Sequence, residues 1–212
     1  MNLSSPIESL IPGLRGRVLT ALVRSPRPVG LRDLSRRART TSHSSVKRVL
    51  TDLLDEGLVE YALVSTGGQY IQLNRSHILV EHLVSIDHVK DAVLETIRTT
   101  ATAWPRQPCA IVLFGSVARG DDTLSSDVDL LMVWKGETPP ADEWESERRN
   151  LTTSVYAATG NTVNATEFTR AEWDAAVARR DPLVESVERD GVLIMGTSVR
   201  ALTHPSRTPV TR

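Results

Sequence analysis

The sequence predicts an α+β protein in two parts: a basic helical module closed by a β-hairpin, then an α/β domain with a small mixed sheet. Three observations carry this. Between residues 7 and 56 apolar side chains recur at helical spacing, and two alternating runs then flank Thr66-Gly67-Gly68. From residue 105 onward, short apolar runs alternate with helical stretches. Charge divides in the same place: residues 1–50 hold ten Lys or Arg against two acids, net +8, which leaves −9 for the rest of a chain whose net charge is −1.

At 212 residues the chain has room for one or two domains, each able to bury a core. Its 40% apolar and 24% charged residues are ordinary for a soluble protein. The single cysteine, Cys109, sits in an apolar run without a partner, as expected in a reducing cytoplasm. The longest apolar run has six residues, and no basic start precedes an apolar core, so neither a membrane span nor a signal peptide is expected.

Ile7–Val23 reads as a first helix, with Leu10, Leu14, Val18, Leu19 and Leu22 on one face. Residues 25–30 (SPRPVG) break it, and Leu31–Ala38 is a short second helix. Thr41 or Ser42 can cap a third helix that runs to Glu56 and ends at Gly57. Leu58–Ser65 and Gln69–Leu73 form the hairpin. The stretch LRDLSRRARTTSHSSVKRVLTDLLDEGLVEY, within residues 1–75, resembles the winged helix-turn-helix of bacterial transcription regulators. That resemblance implies that the third helix enters the major groove of double-stranded DNA. Ser44, Ser45, Lys47 and Arg48 would then face bases, and Arg36, Arg37 and Arg39 would lie near phosphates. A homodimer is expected if the module reads a palindrome. The bland alternative is a module for protein contact whose arginines are merely solvated.

Residues 76–104 are expected to form a connector, one long helix or two, with Asp87 able to cap a second segment. His77, His82 and His88 lie there at a spacing that fits no standard metal site, so they read as exposed polar residues.

The chemistry is concentrated in residues 109–134, CAIVLFGSVARGDDTLSSDVDLLMVW. Cys109–Phe114 is a buried strand, Gly115 and Ser116 end it, and Val117–Arg119 begin a helix. Val128–Trp134 is a second strand, in which Asp127 and Asp129, two residues apart, project from one face. Like charges side by side on a half-buried strand are destabilising unless a cation lies between them, and a hard divalent ion such as Mg2+ usually accompanies a phosphate substrate. A Gly-Ser turn at a strand end leaves backbone N–H groups free for phosphate oxygens. Loop-end aspartates beside the turn formers Ser125 and Ser126 are the bland alternative.

Strand, Gly-Ser, ten intervening residues, Asp-Val-Asp and strand together resemble the polymerase-beta-type nucleotidyltransferases, in particular the minimal ones, over residues 105–197. The resemblance implies transfer of NMP from a nucleoside triphosphate to a hydroxyl of a protein, an RNA or a small molecule. It implies that Gly115 and Ser116 contact the triphosphate, and that Asp127 and Asp129 hold two Mg2+ ions. Arg119, three residues after Ser116, lies on the same side of the short helix, where it can assist the triphosphate or equally pair with Asp121 or Asp122. The spacing is also similar to that of antitoxin nucleotidyltransferases that adenylylate HEPN-domain toxins, which implies a toxin–antitoxin role.

Members of that superfamily place a third carboxylate on a following strand, where this chain has Val163-Asn164-Ala165. Asn164 can offer a carbonyl oxygen but cannot take a proton at neutral pH. Glu167 is the nearest acid and needs a bulge to reach the same face; Glu172 is a more distant candidate. Three outcomes stay open: Glu167 substitutes, two carboxylates suffice at a lower rate, or the domain senses nucleotide without turnover as part of a transcription regulator. Ala141–Ala158, Ala171–Arg179 and Pro182–Arg189 read as helices, Asn161–Phe168 and Val192–Met195 as strands, and residues 198–212 as a disordered tail.

Overall fold

The protein is described by a computed structural model covering residues 1–62 and 68–204. Its contacts divide it into two units, one of Asn2 and Ser4–Lys90, the other of Met1, Leu3 and Asp91 onward. The division falls inside the expected connector, so residues 76–104 are not a separate body.

In the first unit α1 (Pro6–Leu10), α2 (Leu14–Val23), β1 (Val29–Gly30), α3 (Leu31–Arg37), α4 (His43–Asp55), β2 (Val59–Ala62), β3 (Tyr70–Leu73) and α5 (Ile78–Asp87) follow in order. The single helix expected over 7–23 is two, because Pro12 has no N–H to donate and Gly13 turns the chain at φ +82°. Ser42 caps α4 by accepting the Ser45 N–H at 3.3 Å. The strands form an antiparallel sheet in the order β1-β3-β2. β1 is two residues long, too short to leave an alternating pattern in the sequence. Leu19, Leu22, Leu34, Val46, Leu50, Leu53, Ile71 and Val80 close the core. Asp87 ends α5 and takes three bonds from the Arg24 guanidinium, at 2.7, 2.8 and 3.1 Å. The outer part of the expected hairpin, residues 63–67, lies outside the described residues.

The second unit contains most of α6 (Val89–Thr102), then β4 (Ala110–Phe114), α7 (Gly115–Arg119), β5 (Val128–Trp134), α8 (Ala141–Thr159), β6 (Val163–Thr169), α9 (Arg170–Ala178), α10 (Pro182–Asp190), β7 (Val192–Gly196) and α11 (Val199–Thr203). Its sheet is mixed, in the order β6-β5-β4-β7, with β5 and β6 parallel and the other neighbours antiparallel. The central strands β4 and β5 are apolar on both faces and buried on both, as continuous apolar runs require. On one face Ala110, Val112, Leu131 and Val133 pack with Trp173, Ala176, Val184 and Val187 from α9 and α10. The opposite face carries Ile111, Leu113, Leu130 and Met132, and at its end Trp134, Trp144 and Trp104 meet edge to face, with ring centroids 5.1 and 4.9 Å apart. Trp134 and Trp144 are therefore packing residues.

The expected tail begins too early. Ser198 caps α11, Leu202 is fully buried, and the Trp173 indole N–H donates to the Leu202 carbonyl at 3.0 Å. One leucine at helical distance from a serine cap was too weak a signal among Thr, Ser and Arg. Residues 205–212 lie outside the described residues. No helix among the described residues is long and apolar enough to cross a membrane.

Candidate functional site

The site forms where β4 turns into α7 beside the start of β5. Cross-strand pairing sets Phe114 opposite Asp129, so the carboxylate lies against the next residue, Gly115. Gly115 adopts φ +74°, and a Cβ added there would collide with Asp129 Oδ2. Both facts demand glycine: the backbone is in the left-handed region, and the space is taken by a carboxylate. Phe114, at the N-cap of α7, has no side-chain acceptor to offer to the first N–H groups of this short helix. The half-buried Ser116 follows directly, and its carbonyl accepts the Gly120 and Asp121 N–H groups, which closes the turn.

Asp127 is exposed just before β5, and Asp129 is half-buried within it. Parallel pairing sets Asn164 beside Asp129, and Asn164 Nδ2 donates to Asp129 Oδ1 at 3.1 Å. One step earlier, the Val128 N–H donates to the Thr162 carbonyl at 2.8 Å, and the Thr162 hydroxyl donates to Asp127 Oδ1. Burial pushes the Asp129 carboxyl above its ordinary range, and the like charge of Asp127 adds to this. The Asn164 bond and the Arg119 guanidinium act in the opposite direction without cancelling the rise. Arg119 is thus within electrostatic reach of the pair, while its Nε contacts Asp121 Oδ2 at 3.2 Å.

The remaining acids do not join them. β6 pairs with β5 in unbroken register from Val163 to Thr169, without the bulge that Glu167 needed. Glu167 points to the opposite face and accepts the Trp144 indole N–H at 2.5 Å. Glu172 caps its own helix, bonded to the Thr169 N–H and hydroxyl. Among the described residues no cluster of three His, Cys, Asp or Glu could hold a metal. Two carboxylates on one strand face still suit Mg2+, which fills its shell with water and phosphate oxygens rather than with an all-protein cage. Their unrelieved charge, with Asp129 already perturbed, fits such an ion.

Thr162 was absent from the sequence candidates. No local signal marked it: Thr162 meets Asp127 because the chain enters β6 alongside the start of β5, where the Val128 N–H donates to the Thr162 carbonyl.

The basic residues expected to meet DNA form two groups. Arg36 and Arg37 both bond Asp33, and Arg39 clasps Glu8. Although partial burial opposes it, this pairing holds the Asp33 carboxyl below its ordinary range. Lys47 and Arg48 are exposed on α4 with no carboxylate partner among the described residues. Ser44 and Ser45 belong to the hydroxyl cluster at the Ser42 cap, their Oγ atoms 3.3 and 2.8 Å from that of Ser42.

Residues 95–175 match the nucleotidyltransferase domain family. Comparison with curated protein sequences finds no match. Among solved structures, similarity extends to the crystal structure of a toxin-antitoxin with AMP-PNP, at 18% identity over 52% of this chain and 80% of that one, TM-score 0.38. Two mutant forms of the toxin-antitoxin MntA-HpeT are also similar. One shows 16% identity over 53% of this chain and 79% of that one, TM-score 0.36; the other shows 18% over 54% and 79%, TM-score 0.35.

Proposed function

We propose that the chain is a Mg2+-dependent nucleotidyltransferase that carries NMP from a nucleoside triphosphate to a hydroxyl acceptor and reads double-stranded DNA with its basic unit. One observation carries the first half: Asp127 and Asp129 share a strand face directly beside the Gly115–Ser116 turn, inside the segment that matches the nucleotidyltransferase domain family. The N–H groups of the turn and the Ser116 hydroxyl bind phosphate oxygens. Arg119 adds positive charge on the same side. Asp127 and Asp129 hold Mg2+, which supplies charge neutralisation at the reacting phosphate and a lowered acceptor pKa. With Asn164 where a base could stand, no side chain on β6 takes the acceptor's proton. Catalysis then rests on positioning and charge, which dominate phosphoryl chemistry in any case.

The DNA half is supported by the order helix, strand, helix, helix, hairpin in the first unit, and by the free cations Lys47 and Arg48 on α4. The resemblance of the Gly-Ser to Asp-Val-Asp stretch to antitoxin nucleotidyltransferases points to a protein acceptor, such as the toxin of a toxin–antitoxin pair. The test is transfer of label from α-labelled nucleoside triphosphates to candidate acceptors, with Asp127→Ala in parallel. Label in the wild type that is lost in the variant supports the enzyme. A second reading, a regulator that senses nucleotide without turnover, is favoured by the missing base at Asn164. It predicts nucleotide-dependent DNA affinity with no labelled product.

A further inference from the structure

Each carboxylate of the site has one oxygen engaged by a neutral donor, Thr162 just before β6 or Asn164 within it, and one left over. Asp127 Oδ1 receives the Thr162 hydroxyl, and Asp129 Oδ1 receives the Asn164 amide. Asp129 Oδ2 faces Gly115, at the turn that offers backbone N–H groups. Among the described residues no hydrogen bond engages Asp127 Oδ2 or Asp129 Oδ2.

We infer that Thr162 and Asn164 are positioning residues which aim one oxygen of each aspartate at a common point, so that the site takes one divalent cation per nucleotide and not two. This rests on the reading of Asp127 and Asp129 as the cation site. A third carboxylate at position 164 would repel Asp129 and would need a second cation to be tolerated beside it. The Asn164 amide does the opposite: it is neutral, it donates, and it stabilises the ionised Asp129. Two carboxylates with two free oxygens match one Mg2+, whose remaining positions go to water and to the phosphates. Thr162 plays the same part for Asp127 from the residue just before β6.

Stoichiometry tests this independently of turnover. The full-length chain is titrated with Mn2+ in the presence of a non-hydrolysable ATP or GTP analogue, and bound Mn2+ is counted by electron paramagnetic resonance. One ion per chain is expected in the wild type, and two in Asn164→Asp. Thr162→Val should weaken Mn2+ binding about tenfold, as loss of an orienting bond commonly does, while Thr162→Ser, which keeps the hydroxyl, should bind as the wild type does. Two ions in the wild type, or equal loss in Thr162→Val and Thr162→Ser, would overturn the proposal and leave the nucleotidyltransferase reading intact. No Mn2+ bound with either analogue would overturn both.

Discussion

The two units treat like charges in opposite ways. In the second unit Asp127 and Asp129 stand together, held by the neutral donors Thr162 and Asn164 and within electrostatic reach of Arg119. In the first unit Arg36, Arg37 and Arg39 are already matched by Asp33 and Glu8. A group that keeps its charge uncompensated is poised to gain energy from a ligand of opposite sign. One already paired must first give up its partner. The comparison therefore narrows the seven residues expected to meet DNA to Lys47 and Arg48 as the cations with no carboxylate partner among the described residues.

The largest test of this contrast is Asp129→Ala, which should abolish the rise in melting temperature that Mg2+ and a non-hydrolysable nucleotide give the wild type. An undiminished rise would mean that the nucleotide binds elsewhere. Gly115→Ala comes next. Its methyl group meets Asp129 Oδ2 on a left-handed backbone, so a loss of about 1–3 kcal/mol in unfolding free energy is expected, together with weaker nucleotide binding. Denaturant titration reads the first effect and calorimetry the second; a neutral outcome in both would remove the turn from the site.

A smaller effect separates the two groups of cations. Lys47→Ala with Arg48→Ala should flatten the slope of log K against log salt for DNA by about two, near 0.9 per phosphate contact. Arg36→Ala with Arg37→Ala should leave the slope nearly unchanged, because those charges serve Asp33. Reversed results would show that the ion pairs open for DNA.

The smallest expected effect concerns Asp129 itself. Its folded carboxyl holds its proton to higher pH than the unfolded chain does, so ionisation costs stability as pH rises from the ordinary aspartate range through the raised folded value. Cation-free Asp129→Asn should thus be slightly more stable than the wild type at neutral pH. The gain is less than about 1 kcal/mol, because the group is only half-buried and solvent screens it. It should vanish in acid below about pH 3.9, where both chains carry a neutral side chain. Melting curves against pH read the difference; a less stable variant would show that the ionised form is not under strain.

Periodicity alone determined the alternation of helices and strands, and the Asp-x-Asp spacing alone determined that two carboxylates share a face. Those features are local: side-chain direction follows from 3.6- and 2-residue repeats without knowledge of what packs opposite. The break at Pro12–Gly13, the two-residue β1 and the burial of Leu202 escaped, since each depends on a single residue or on a remote neighbour such as Trp173. Tertiary structure alone decided which side chains surround the aspartates. Thr162 and Asn164 reach them, and Glu167 does not, because β5 and β6 run parallel in unbroken register. Strand pairing between residues 35 apart is a property of the folded sheet that no local pattern encodes.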